Sequence, residues 1–134
     1  MAELVEFELV SPERLLLSEA VEMVVVPGSE GDFGALPRHA PMITALRPGV
    51  IDVYRSGVVT DRIFVAGGFA EVNEVRLTVL AEEAIPVGDI DPAMVAERLS
   101  TAQAQVEAAD SELARNLAQR ALAVARAMES AGRQ

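Results

Sequence analysis

The amino-acid composition changes abruptly near residue 88, and that change sets the fold class. Residues 1–88 hold 19 Val or Ile, 8 of the 9 Gly and 6 of the 7 Pro, whereas residues 89–134 hold 4 Val or Ile, one Gly and 13 Ala. β-Branched side chains fit a pleated surface, and Gly and Pro punctuate short strands. Alanine has the highest helix propensity of any residue. The chain therefore divides into an all-β domain, residues 1–88, and an all-α domain, residues 89–134. Val87-Gly88-Asp89 marks the boundary.

Within the first domain the hydrophobic pattern has period two. In Val5-Glu6-Phe7-Glu8-Leu9 the apolar residues share one face, and Val75-Arg76-Leu77-Thr78-Val79 repeats the pattern. Met23-Val24-Val25-Val26 is a continuous apolar run, which predicts a strand covered on both faces. Breakers recur at Ser11-Pro12, Pro27-Gly28, Pro37, Pro41, Pro48-Gly49, Gly57, Gly67-Gly68, Asn73 and Pro86 to Gly88. Many short strands at that spacing predict a β-sandwich or barrel, with a mainly aliphatic core because aromatics are only 4% of the chain.

The second domain reads as an antiparallel helical hairpin. Asp91 can cap a helix through its carboxylate, and Pro92 suits the first helical position, where its missing N–H costs nothing. Val95, Leu99, Ala102 and Val106 then form one helical stripe. Asp110 is a second cap candidate, and Leu113, Leu117, Ala121, Val124 and Met128 form the second stripe. Alanine-rich stripes bury little area, and at about 25 cal/mol per Å² they hold a hairpin weakly. Such a hairpin can move, although a static helical tail fits the same residues.

Charge and residue type then exclude whole classes of function. Eleven Arg, no Lys and 21 acidic residues give a net charge of −10. Phosphate backbones and anionic lipid repel such a chain, so neither nucleic acid nor a membrane surface is expected as a partner. Cysteine is absent, which removes thiolate metal sites and thiol nucleophiles. The longest uncharged stretch is eight residues, far short of the ~20 a membrane helix needs. The first segment carries four Glu before its first Arg, unlike a signal or transit peptide.

The candidate sites are few. His39 is the one histidine, so a two-His metal site is impossible, and its Pro-rich setting suits an interface hydrogen bond better than catalysis. Gly28-Ser29-Glu30-Gly31-Asp32-Phe33-Gly34 has the glycines of a phosphate loop, but two carboxylates and the lack of Lys oppose phosphate. It reads as a glycine-dependent turn, or as an acidic loop shown to a basic partner. Asp89 and Asp91 lack the glycine and closing Glu of a calcium loop. Arg115, Arg126 and Arg133 lie within about 20° of one another at 100° per residue, opposite the second apolar stripe. They form either a solvated face or a basic ridge for an acidic partner. No metal or cofactor is expected.

Two motif blocks add a resemblance. Ser29-Glu30-Gly31-Asp32-Phe33-Gly34-Ala35-Leu36-Pro37-Arg38-His39-Ala40-Pro41-Met42-Ile43-Thr44, followed by Leu46 and Pro48-Gly49, resembles the ε subunit family of F-type ATP synthases. Val65-Ala66-Gly67-Gly68-Phe69-Ala70-Glu71-Val72, with Val75 to Ala81, is similar to that family's second pattern, and Ser11-Pro12-Glu13 and Ile90-Asp91 match as well. The resemblance covers residues 5 to about 92. It implies a sandwich of about ten short antiparallel strands, then two helices, in a non-catalytic central-stalk subunit. That subunit joins the rotating γ subunit to the c-ring, peripheral on the cytoplasmic face of the bacterial inner membrane. The mitochondrial counterpart carries the same sandwich.

By the same resemblance, Glu30, Gly31 and Asp32 face the c-ring, and His39 and Thr44 lie near the γ and c-ring surfaces. Some bacterial members bind ATP at an I-D-x-x-R-A pattern, and their hairpin regulates hydrolysis. Here Ile90 and Asp91 are kept, but Met94 and Val95 replace the Arg and Ala, so ATP is expected to bind very weakly or not at all. The Arg115, Arg126 and Arg133 ridge would face the α/β catalytic head. Arg38 stands where Gly is common. Two readings of other classes compete: a free-standing sandwich-plus-hairpin interaction module, and a small hydrolase built on His39.

Overall fold

The computed structural model describes residues 3–133. It divides between Pro86 and Val87 into two compact units. The first unit contains eight strands: β1 (Val5–Val10), β2 (Leu15–Val21), β3 (Met23–Gly28), β4 (Gly31–Ala35), β5 (Met42–Ala45), β6 (Gly49–Arg55), β7 (Val58–Val72) and β8 (Arg76–Pro86). Their hydrogen-bonded order is β2-β1-β8-β7-β6-β3-β4, with β5 added along β7. The inward residues form one aliphatic core around Phe7: Val5 and Leu9 from β1, Val24 and Val26 from β3, Ile51 and Val53 from β6, Leu77 and Val79 from β8. This is the predicted sandwich. Along β3 one face is fully buried, while Met23 and Val25 on the other are half-buried.

The strand count is eight rather than about ten, and the reason lies at Gly67-Gly68. These glycines bend a strand without ending it. β7 and β8 keep one register from Ile63 opposite Pro86 to Val72 opposite Leu77. Both glycines take positive φ, 71° and 99°. A Cβ on Gly68 would lie 1.8 Å from the Leu80 carbonyl oxygen, so no other residue fits that close approach. The first part of β7 pairs with β6 and its last four residues pair with β5. One long bent strand thus serves both leaves. Nor are all pairs antiparallel, because β1 runs parallel to β8. Ser56 and Gly57, both at positive φ, reverse the chain between β6 and β7 as the twist of a two-residue hairpin requires. Nearby, Arg55 bridges Glu19 of β2 and Asp61 of β7. The hydrogen bond to Asp61, aided by Glu19, raises its guanidinium above the ordinary arginine range against the opposing effect of burial.

The second unit opens with a short 3₁₀ turn, Val87–Asp89, followed by α1 (Pro92–Ala108) and α2 (Glu112–Gly132). Asp91 caps α1, its carboxylate accepting from the Ala93 N–H at 3.0 Å. The cap of α2 is Ser111 rather than Asp110, its hydroxyl oxygen accepting from the Ala114 N–H at 3.0 Å. Val95 and Ala102 are buried on α1 as its stripe predicts. On α2 the buried residues are Ala118, Ala125, Met128 and Ala131, while Leu113 and Leu117 are 69% and 56% exposed. The expected stripe is therefore rotated around the helix. Short alanine side chains let two helix backbones approach closely, so the alanine face takes the interhelical contact and the leucines stay outside it.

Candidate interaction surfaces

The tip of the β3–β4 hairpin carries the acidic loop. β3 ends at Gly28, Ser29 and Glu30 form the turn, and β4 begins at Gly31. A Cβ on Gly28 would stand 2.8 Å from the Gly31 carbonyl oxygen, and Gly31 has φ of 135°. The turn therefore depends on glycine at both ends. Glu30 is exposed at its apex. Asp32, one residue into β4 after Gly31, is ion-paired with Arg47, whose Nη1 also donates to the Gly28 carbonyl at 2.6 Å. The loop thus presents its two carboxylates in different states.

The segment after β4 places His39 and Thr44. Arg38 has φ of 68°, a left-handed conformation that favours glycine, which accounts for the glycine common there in the resembling family. Its guanidinium pairs with Glu3 at 2.6 Å, and its backbone N–H donates to the Glu74 carbonyl. His39 is half-buried, with its ring centroid 6.1 Å from that of Phe33. Its Nδ1 lies 2.6 Å from the Ala40 carbonyl, which places the proton on Nδ1. Among the described residues it has no hydrogen bond to a Ser, Asp or Glu side chain, so the relay a hydrolase needs is not assembled. Thr44 sits on β5, and its hydroxyl donates to the Ala45 carbonyl at 3.1 Å.

A larger feature lies across the outer face of the sheet. Following the register from β5 to β2, Ala45 opposes Phe69, Phe69 opposes Leu80, Leu80 pairs with Val10, and Val10 opposes Leu15. Five apolar side chains thus line up across five strands. Phe69 is 43% exposed, Leu80 37% and Leu15 54%. The next row is polar apart from Ile43: Ile43, Glu71, Thr78, Glu8 and Ser18. An exposed apolar row flanked by an acidic, polar one has the composition of surfaces that proteins use for contacts. Sequence reasoning missed it, because pairing register is not visible in one chain. A local signal existed. Leu9-Val10, Phe69-Ala70 and Val79-Leu80-Ala81 interrupt the period-two pattern with consecutive apolar residues, so one of each must point outward.

In the hairpin the predicted residues separate. Asp91 is spent on the α1 cap, and Ile90 lines a groove of about 460 Å³ with Val95, Leu99, Met128, Glu129 and Arg133. Met94 lines a different groove of about 370 Å³ with Glu97, Arg98, Thr101 and Gln105. The remaining face of α2 exposes Arg115, Arg126 and Arg133, and Arg133 pairs with Glu129 at 3.4 Å one turn back. Among the described residues no cluster of three metal-ligating side chains occurs.

Comparison with known proteins identifies the lineage. Residues 4–87 match the family described as ATP synthase, Delta/Epsilon chain, beta-sandwich domain. The ATP synthase epsilon chain of Paramagnetospirillum magneticum is 57% identical over 131 residues, covering 98% of both chains. That of Rhodospirillum rubrum is 56% identical over the same length, also covering 98% of each. Among solved structures, a chain of the Euglena gracilis mitochondrial ATP synthase OSCP/F1/c-ring assembly superposes with a TM-score of 0.82 at 28% identity, covering 98% of this chain and 82% of that one. A chain of the Tetrahymena thermophila central stalk and c-ring structure shares the fold, with a TM-score of 0.73 at 11% identity, covering 96% of each. Matched along its whole sandwich, and more than half identical to relatives over nearly its full length, the chain belongs to the ATP synthase delta/epsilon family.

Proposed function

We infer that the chain is the non-catalytic coupling subunit of a rotary ATP synthase central stalk. The sandwich sits between the γ subunit and the c-ring, so that torque from proton flow reaches the catalytic head. The observation that carries this reading is the apolar row from Ala45 to Leu15, a surface with the character of a permanent protein contact. We assign γ to that row and the polar loops of the c-ring to the tip at Glu30, Gly31 and Asp32, with His39 and Thr44 beside both partners. The Arg115, Arg126 and Arg133 face of α2 is available to acidic surfaces of the α/β head. Among the described residues no helix is long and apolar enough to cross a membrane, in keeping with a peripheral position on the cytoplasmic face of the bacterial inner membrane.

The hairpin does not act as an ATP sensor in this reading. Asp91 already caps α1, Ile90 and Met94 line separate grooves, and a thioether cannot donate to phosphate. The test of the whole assignment is capture of the tagged full chain from detergent-solubilised native membranes, followed by mass spectrometry. Recovery of γ and the c subunit is expected. Recovery of neither, with the chain intact, would overturn the assignment.

A further inference from the structure

The two leaves of the sandwich are fastened to each other by charge at one end. Arg55, the last residue of β6, ion-pairs with Glu19 of β2 and with Asp61 of β7, and its Nη1 also donates to the Thr60 hydroxyl. Three strands separate β2 from β6 in the hydrogen-bonded order, so the Glu19 arm crosses between leaves, whereas the Asp61 arm joins neighbouring strands of one leaf. The register puts all three charges on the core side. Glu19 opposes Phe7, Asp61 opposes Val53, and Arg55 lies two residues beyond Val53 on the same face of β6. Phe7 and Val53 belong to the aliphatic core, so charges stand where the apolar pattern would otherwise continue. The Arg55 side chain is 29% exposed. Glu22, where the chain passes from β2 to β3, adds two bonds at the same end. Its N–H donates to the Tyr54 carbonyl at 3.0 Å, and its carboxylate accepts from the Gly57 N–H at 3.1 Å.

We propose that Arg55 is a positioning residue that clasps the leaf carrying the apolar row to the leaf carrying the acidic tip, so that the two contact surfaces keep one geometry under load. β2 ends the row at Leu15, and β6 pairs with β3, which leads into the tip. The inference rests on the reading of the sandwich as lying between γ and the c-ring. Under that reading torque enters at one leaf and leaves by the other. Aliphatic packing is non-directional, so it opposes separation of the leaves more than sliding. A guanidinium fork with fixed donor directions opposes sliding as well.

The test uses the full-length chain and compares Glu19→Ala, which cuts the arm between leaves, with Asp61→Ala, which cuts the arm within one. In the free chain, β2 amides should exchange about tenfold faster in Glu19→Ala, the size of a lost coupling between contacting charges. Neither variant touches the apolar row, so Kd for the α, β and γ head complex should stay within about twofold. Each protein is then added to inverted vesicles lacking this chain. With Glu19→Ala, ATP hydrolysis and early proton pumping should match the parent, but the limiting proton gradient, where the load is greatest, should fall. With Asp61→Ala that gradient should stay near the parent value, an asymmetry that a merely stabilising role for Arg55 would not produce. Arg55→Met should behave as Glu19→Ala does, and Arg55→Lys should recover part of the loss. Unchanged β2 exchange in Glu19→Ala would overturn the proposal. So would a limiting gradient equal to the parent's, or one lowered equally by Asp61→Ala. If the parent chain itself restores no pumping, the central-stalk reading fails and takes the proposal with it.

Discussion

Replacing Phe69 by Thr tests whether the outer apolar row is a contact surface. A phenylalanine side chain carries about 200 Å² of accessible surface. With 43% left exposed in the free chain, about 85 Å² remains for a partner to cover. At ~25 cal/mol per Å² that covering is worth about 2 kcal/mol, and threonine's methyl recovers ~0.8 kcal/mol of it. The net loss of about 1.3 kcal/mol corresponds to about tenfold in Kd. Threonine keeps a β-branched residue on the strand, so the variant should fold, which far-UV circular dichroism checks. The assay is calorimetric titration into a head complex of α, β and γ stripped of this subunit. Val58, 59% exposed at the start of β7 but outside the row, supplies the control, and Val58→Thr should leave Kd within twofold. Equal and small effects of the two substitutions would refute the argument, since exposed area alone would then carry no binding energy.

Three further outcomes are expected. Gly68→Ala should cost well over 3 kcal/mol in urea unfolding, because its Cβ would meet the Leu80 carbonyl oxygen at 1.8 Å, whereas Gly57→Ala, with φ of 80° and nothing within 4 Å, should cost about 1–2 kcal/mol from φ alone. Asp91→Ala should lower hairpin stability by about 1 kcal/mol, read as a lower melting temperature, since it removes the cap on the Ala93 N–H. The isolated chain should give no measurable heat with ATP at fixed salt, and Met94→Arg with Val95→Ala should raise affinity. Tight binding by the parent chain would place the ligand on groups other than these.

Much of the fold was legible because its signals are local. The composition break near residue 88 falls two residues after the division between the units. Asp91-Pro92 announced the start of α1 through chemistry contained in three residues. What failed depended on partners distant in sequence. Gly67-Gly68 read as a strand end because a positive-φ bend and a turn use the same residue, and only the unbroken register with β8 distinguishes them. Leu113 and Leu117 read as core because periodicity finds apolar stripes but does not rank them, and α2 has an alanine stripe that packs more closely. At the candidate site the acidic tip was legible from its glycines. That Asp32 is tied to Arg47, fifteen residues on, was not, nor was the row that joins Ala45 to Leu15 across five strands.

The most direct measurement of the central claim is ATP-driven proton pumping in inverted membrane vesicles from cells lacking this chain, with and without the purified full-length protein added back. The account predicts that vesicles without it hydrolyse ATP but pump poorly, and that adding the chain restores pumping in proportion to hydrolysis. Pumping that is the same with and without the chain would contradict a coupling role in the central stalk.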